Sequence, residues 1–138
     1  MELEEEMREY VLDSFAVLAY LRAEPSGPRV QELLSECDQG RAKASMTVVN
    51  LGEVLYRTIR DRGDEAVPDV LALIGRLPIE VVEIDVGLTV NAARFKAAHP
   101  IAYADCFAAA LAAELGAKVV TGDREFEVFG DEVDVEWL

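Results

Sequence analysis

The sequence PIAYADCFAAALAAE occupies Pro100–Glu114, and before its final glutamate it is apolar, small or aromatic at every position except Asp105. Its richness in Ala and Leu predicts a helix. Apolar residues on all sides of that helix predict that it is buried rather than half exposed. An ionised carboxylate is costly in such surroundings unless something pairs with it. The main question raised by this sequence is therefore what Asp105 pairs with.

The segments around this helix alternate between short strands and helices. Strands are predicted at Tyr10–Leu12, Lys43–Met46 (the weakest), Ile79–Ile84, Lys118–Thr121 and Val133–Trp137. Helices are predicted over Phe15–Leu21, Arg29–Asp38, Val48–Arg62, Glu65–Leu77 and Val86–Ala98, with a short and less regular one at Arg124–Phe129. This alternation is typical of an α/β domain with a mainly parallel sheet. We therefore expect one domain over residues 1–138, a three-layer α/β/α sandwich around a sheet of four to five strands, with residues 1–8 as an acidic extension.

Composition excludes some classes of function. The 138-residue chain has 27 acidic and 13 basic residues, a formal net charge of −14. Non-specific nucleic-acid binding depends on many Lys and Arg contacts to phosphates, which this charge disfavours. A protein that binds cations, one that handles a short nucleic-acid segment through them, or one with a basic partner segment all remain compatible. Without a spanning apolar run or a secretory signal, we expect a cytoplasmic protein with no membrane association.

Soft metal ligands are scarce in this sequence. Cys37 and Cys106 do not have the spacing of a metal site, and Cys106 is expected to be a small core residue. The single histidine, His99, precedes Pro100 in a predicted loop and is interpreted as a surface residue rather than a ligand.

Two acids follow predicted strands. Asp13 comes directly after Tyr10–Leu12, and Asp123 comes just after Lys118–Thr121. Ligands of parallel α/β sheets bind beyond the carboxyl ends of the strands, at a topological switch point. Each acid also has a simpler explanation, because Asp13 could cap the next helix and Asp123 could be a turn residue.

Two more acids lie on predicted helices. Glu53 flanks the predicted apolar face of Val48–Arg62, which consists of Val48, Leu51, Leu55 and Ile59; it could simply form an i,i+4 pair with Arg57. Asp105 falls in the first turn of its helix, where the macrodipole favours an acid. The macrodipole does not explain the lack of polar neighbours. Converging carboxylates would take up protons or bind cations, and oxygen ligands without His or Cys suit Mg²⁺ or Mn²⁺ better than zinc.

Four segments in this order resemble a known family. They are YVLDSFAVLAYL, NLGEVLYR, YADCFAAALAAELG and VVTGDREF. Together they resemble the PIN domain, and the chain length resembles that of the VapC-like toxins of prokaryotic toxin–antitoxin pairs. The resemblance extends from about Arg8 to the C-terminus.

The resemblance implies a metal-dependent endoribonuclease. By motif position, Asp13, Glu53, Asp105 and Asp123 would be the catalytic acids that hold one or two Mg²⁺ or Mn²⁺ ions. Supporting positions would be Ser14, Thr121 and Glu125. The substrate would be single-stranded or loop RNA, whose phosphates could meet Arg57 and Arg60, or Arg124. A cognate antitoxin with a basic segment and a homodimer through helical faces are also implied.

Two alternatives remain open at this point. One is a PIN fold that has lost catalysis and serves as a binding module. The other is a receiver-like phosphoacceptor domain, which would need a second acid beside Asp13 and a lysine at the end of a late strand. Here Ser14 follows Asp13, and Lys118 begins its predicted strand.

Overall fold

A computed structural model describes residues 7–138 as a fully parallel, five-stranded sheet with helices on both faces. The strands are β1 (Arg8–Leu12), β2 (Ala42–Thr47), β3 (Ile79–Val82), β4 (Lys118–Thr121) and β5 (Val135–Trp137). The helices are α1 (Ser14–Leu21), α2 (Gly27–Asp38), α3 (Val48–Arg62), α4 (Val67–Arg76), α5 (Val86–Ala98) and α6 (Tyr103–Leu115). Residues 1–6 of the expected acidic extension lie outside the described residues. Arg8, also assigned to that extension, instead begins β1.

The strand order is β3-β2-β1-β4-β5, with β1 at the centre. The chain first builds outward through β2 and β3, then returns to the other side of β1 to add β4 and β5. The order of strands therefore reverses between β1 and β4. Leu12 is in register with Val120, so these two strands end side by side. A switch point of this kind opens a crevice at the carboxyl ends of the strands.

Two apolar cores cover the two faces of the sheet. Successive side chains of a strand point to opposite faces. Val11 and Val119 accordingly pack with residues of α5 and α6, whereas Leu12 and Val120 pack with residues of α1, α2, α3 and α4. The predicted three-layer α/β/α arrangement is confirmed, and β5 lies at an edge of the sheet.

Helix α6 is buried, as its composition predicts. Every residue from Asp105 to Ala112 is buried, including the expected core residue Cys106. The helix begins at Tyr103, three residues after Pro100. It ends at Gly116, which adopts a left-handed conformation (φ +63°) while the N–H of Ala117 donates to the carbonyl of Ala112 at 2.8 Å.

The buried face of α3 differs from the predicted one. Its buried residues are Asn50, Val54 and Thr58. Of the apolar row that was expected to face inward, Leu51 and Leu55 are only partly buried and Ile59 is 39% exposed. Buried polar residues need hydrogen-bond partners, and here both have them. Thr58 donates to the carbonyl of Val54 at 2.8 Å, and Asn50 bonds to Thr47 and Ala104.

Several smaller boundaries also change. The predicted helix Glu65–Leu77 is a 3₁₀ turn (Asp64–Ala66) followed by α4, with Pro68 in the first turn of α4. Strand β3 ends at Val82 rather than Ile84, β5 begins at Val135 rather than Val133, and a 3₁₀ helix covers Arg124–Glu132. None of the helices in residues 7–138 is long and apolar enough to cross a membrane.

His99, interpreted from the sequence as a surface residue, is half-buried. Its side chain is only 15% exposed, and Nε2 lies 2.9 Å from Glu132 Oε2. The ring also packs edge-on against Phe129, with the ring centroids 5.0 Å apart. His99 thus joins the end of α5 to the 3₁₀ helix after β4.

Candidate functional site

Asp13 lies at the carboxyl end of β1 and is 2% exposed. Its Oδ1 accepts the backbone N–H of Ala16 at 2.9 Å, so it caps α1 as the simpler explanation proposed. The Thr121 side chain, from the end of β4, also hydrogen-bonds to this carboxylate. The Asp13 carboxylate therefore has a second contact besides the helix cap, and this contact fixes it at the switch point between β1 and β4.

The loop after β4 places two further acids beside Asp13. The Thr121 hydroxyl oxygen accepts the N–H of Asp123 at 3.0 Å, and Asp123 Oδ1 accepts the N–H of Glu125 at 3.0 Å. Gly122, between Thr121 and Asp123, packs closely against Phe15, because a Cβ added to Gly122 would lie 2.4 Å from the Phe15 ring. Close packing and the two hydrogen bonds fix where this loop runs.

Asp105 extends from the first turn of α6 to the same place. One carboxylate oxygen each from Asp105, Asp123 and Glu125 lie within 4.8 Å of one another. Asp105 is 7% exposed, and no residue in the described range 7–138 donates a hydrogen bond to its carboxylate. Two like charges about 4 Å apart repel by roughly 4 kcal/mol at an effective dielectric constant near 20. The three carboxylates therefore need protons or a cation.

Glu53 approaches from α3. The Ser14 hydroxyl donates a hydrogen bond to its Oε1. Its Oε2 accepts from the Tyr56 hydroxyl at 3.3 Å and from Arg57 at 3.4 Å. The expected i,i+4 pair with Arg57 is therefore present. Glu53 lies outside the 4.8 Å group of three acids, but its charge acts on Asp105.

Burial and mutual repulsion raise two of the acid pKa values. The pKa of Asp13 rises from 3.8 to about 7, mainly because of burial, despite the hydrogen bonds from Thr121 and Ala16. The pKa of Asp105 also rises to about 7. Burial is again the largest cause, and the charges of Asp123, Glu53 and Glu125 add to it, while Arg57 acts in the opposite direction.

This arrangement fits a hard divalent cation. All the acidic side chains offer oxygen atoms, which Mg²⁺ and Mn²⁺ prefer. Within residues 7–138, Arg57 is the single basic side chain whose charge lowers the pKa of Asp105. One partly exposed guanidinium is little compensation for this many carboxylates. A bound cation would stabilise the charged form of these carboxylates against both burial and mutual repulsion.

Sequence reasoning missed a buried connection between α3 and α6. The Thr47 hydroxyl donates to Asn50 Oδ1 at 2.7 Å, and Asn50 Nδ2 donates to the carbonyl of Ala104 at 3.3 Å. Both Thr47 and Asn50 are completely buried. Because Ala104 directly precedes Asp105, this connection fixes the first turn of α6. The local signal was the pair of polar residues Thr47 and Asn50 at the start of α3.

The sequence was compared with family models and with solved structures. The family model of the PIN domain matches residues 10–132. The chain belongs to the PIN domain family. That segment includes Asp13, Glu53, Asp105, Asp123 and Glu125. No curated protein matches the sequence.

Several solved structures resemble this chain in fold. DNA-bound VapBC from Salmonella typhimurium matches with a TM-score of 0.72 and 21% identity, covering 94% of this chain and 98% of that chain. VapBC2 from Rickettsia felis, bound to a promoter DNA fragment, matches with a TM-score of 0.71 and 17% identity, covering 93% of this chain and 97% of that chain. VapC20 from Mycobacterium tuberculosis is described as a toxin that cleaves the sarcin–ricin loop. It matches with a TM-score of 0.69 and 17% identity, covering 88% of this chain and 95% of that chain. At these identities the similarity shows the fold.

Proposed function

We propose that this protein is a metal-dependent endoribonuclease and the toxin of a toxin–antitoxin pair. The observation that carries the proposal is the approach of Asp105, Asp123 and Glu125 to within 4.8 Å beside the buried Asp13, at the switch point of a PIN fold. Structural neighbours include a toxin–antitoxin complex from Klebsiella pneumoniae and a member of a family of toxin–antitoxin systems from Mycobacterium tuberculosis. VapC20 is described as a toxin that cleaves the sarcin–ricin loop, which supports the same conclusion. We also propose that residues 1–138 act as a single domain.

Asp13, Glu53, Asp105 and Asp123 are proposed to hold one or two Mg²⁺ or Mn²⁺ ions, with Glu125 as a further ligand. When bound, such an ion supplies Lewis-acid chemistry that polarises the phosphodiester and activates water. Ser14 and Thr121 would act through the acids. The Ser14 hydroxyl orients Glu53, and the Thr121 hydroxyl holds Asp13 while its oxygen fixes the backbone of Asp123.

The protein's own residues would position the substrate and the ion. Asp13 and Asp105 are 2% and 7% exposed, and electrostatic interactions are stronger around buried groups than in water. Hydrolysis adds water at the phosphorus atom and breaks one P–O ester bond of the RNA chain. The acids determine where the phosphate can sit, because a phosphate approaches this cluster only through bound cations.

The acidic site also favours a basic protein partner. At a net charge of −14, electrostatic attraction directs a cationic segment of an antitoxin toward the molecule. We propose a cognate antitoxin with such a segment, a cytoplasmic location and a homodimer formed through helical faces. Affinity purification of the chain from its source organism tests the partner, and recovery of no small protein with a basic segment would contradict it.

The decisive experiment is a cleavage assay. The purified chain is expected to cut labelled single-stranded RNA with Mn²⁺ or Mg²⁺ and to lose this activity in EDTA. Asp13→Ala should abolish cleavage and relieve growth arrest when the chain is expressed in a bacterium. Asp69→Asn, which removes an exposed carboxylate in the first turn of α4, is the matched control and should cleave like the parent.

Two other readings of the sequence are compared with this proposal. Membership of the PIN family sets aside the receiver-like phosphoacceptor. The catalytically inactive binding module predicts no metal-dependent cleavage on any RNA. Calorimetric titration with Mn²⁺ is independent of activity. If the parent binds Mn²⁺ but does not cleave RNA, and Asp105→Asn loses the Mn²⁺ binding, the inactive module would be favoured.

A further inference from the structure

The last two turns of α3 carry an exposed aromatic and basic surface beside the acid cluster. The Tyr56 hydroxyl donates to Glu53 Oε2 at 3.3 Å, which places the ring at the rim of the site. Tyr56 is nevertheless 43% exposed. The guanidinium carbon of Arg60 lies 4.9 Å from the centre of the Tyr56 ring. A large apolar ring is therefore held in a fixed position while much of it faces solvent.

The charge of this surface is opposite to that of the molecule. Acidic residues outnumber basic ones 27 to 13 over the whole chain, yet Arg57 and Arg60 lie about one turn apart on α3, on the same side as Glu53 and Tyr56. Arg57 is paired with Glu53. Arg60 forms no ion pair with any residue in the described range 7–138 and contacts the Tyr56 ring instead. Arg60 can therefore contact an external anion without first breaking an ion pair.

Arg124, the other basic residue close to the acids, is occupied differently. Its guanidinium carbon lies 4.6 Å from the centre of the Trp137 ring, and Nη1 lies 3.5 Å from Glu127 Oε1. Among the basic side chains suggested by the sequence as phosphate contacts, Arg60 is therefore the least engaged.

We propose that Tyr56 and Arg60 form a binding platform for a nucleotide next to the scissile phosphate of single-stranded RNA. This inference rests on the proposed ribonuclease function and specifies how its substrate is held. An unpaired base stacks on the exposed part of the Tyr56 ring, and Arg60 contacts the adjoining phosphate. Unstacked bases commonly stack on aromatic rings and on arginine planes, and such stacking tolerates different bases. The Tyr56–Glu53 hydrogen bond fixes the distance between this base and the acids.

RNA binding is measured separately from cleavage to test the platform. The Asp105→Asn chain, which cannot cut, is titrated with fluorescein-labelled 12-nucleotide single-stranded RNA. Adding Tyr56→Ala should weaken binding at least about fivefold, the lower end of the range for loss of one base–aromatic stack. Tyr56→Phe keeps the ring but loses the hydrogen bond to Glu53, so it should bind more tightly than Tyr56→Ala. Arg60→Ala should also weaken binding and reduce the salt dependence of log Kd by about 0.7, because one phosphate contact is lost.

The controls are Val90→Ala and Arg94→Ala on α5, which remove an exposed apolar side chain and an exposed cation from the opposite face of the sheet. Unchanged RNA affinity in Tyr56→Ala and Arg60→Ala would overturn the platform. A change in oligomeric mass without a change in RNA affinity would overturn it too and assign this surface to a protein contact. If the parent cleaves RNA and Tyr56→Ala and Arg60→Ala bind RNA as the parent does, the platform is refuted and the ribonuclease proposal stands. If RNA binding depends on Tyr56 but the parent never cleaves RNA, the ribonuclease proposal is refuted and the platform stands.

Discussion

At the scale of single residues, Asp105 combines two unfavourable conditions, burial and proximity to other negative charges. It lies in an Ala-rich helix, accepts no hydrogen bond from the described residues 7–138, and faces Asp123 and Glu125. Raised carboxyl pKa values produced by burial and a specific charge partner are typical of functional sites. A carboxylate retained under these conditions contributes to binding a cation at the expense of stability.

The residue-scale prediction is that Asp105→Asn abolishes cleavage and stabilises the metal-free fold. The amide has nearly the same shape but removes a buried, repelled charge, so unfolding in EDTA at pH 8 should require more free energy, on the order of 1 kcal/mol or more. The melting temperature should rise by several degrees in scanning calorimetry. The control Asp69→Asn should shift it little. A variant that melts lower than the parent in EDTA contradicts this account of Asp105.

At the scale of elements, the site depends on how α3 and α6 are held together. Asn50 bridges them, since its amide accepts from Thr47 at the start of α3 and donates to the carbonyl of Ala104 in α6. Glu53 lies one helical turn after Asn50, and Asp105 directly follows Ala104. A change in the spacing of these two helices would therefore move both carboxylates.

The element-scale prediction concerns Asn50→Ala. Removing the amide leaves the Thr47 hydroxyl without one partner in a buried place, which costs about 1–3 kcal/mol of unfolding free energy. It should also weaken Mn²⁺ binding severalfold in calorimetric titration, because α6 is no longer fixed to α3. The matched control is Thr58→Ala, which removes a buried hydroxyl bonded within α3 itself. Equal losses of Mn²⁺ affinity in the two variants would refute the positioning role.

At the scale of the whole molecule, excess negative charge and the buried acids make stability depend on pH. Asp13 and Asp105 have pKa values near 7 in the fold and about 4 when unfolded. Between these values the unfolded chain releases protons that the folded chain keeps. Stability therefore falls as pH rises from about 4 to about 7, and it then stays low. A divalent cation that binds the ionised carboxylates opposes this loss.

The whole-molecule prediction concerns the difference in melting temperature between Asp105→Asn and the parent. Groups elsewhere titrate alike in both proteins, so their effect cancels in this difference. In EDTA, the gain in melting temperature of Asp105→Asn over the parent should be small at pH 5 and should grow to several degrees at pH 8. Saturating Mn²⁺ at pH 8 should raise the melting temperature of the parent and leave Asp105→Asn nearly unchanged. A gain that does not depend on pH would show that the pKa of Asp105 is not raised.

The sequence alone determined the features that depend on short, local patterns. The Ala-rich composition predicted α6, strand signals placed Asp13 and Asp123 at strand ends, and the alternation of elements predicted the layers. These succeed because β-propensity, capping and periodicity act over a few neighbouring residues. The family resemblance then grouped acids that lie far apart in the chain.

Only the tertiary structure decided which side chains meet. It buried Asn50 and Thr58 in place of the apolar row of α3, brought Glu125 into the group with Asp105 and Asp123, and tied His99 to Glu132. Periodicity reports the average polarity of a window, whereas the burial of a polar group depends on a partner that can be distant in sequence. For Asn50 that partner is the carbonyl of Ala104, 54 residues away, and no local pattern contains it.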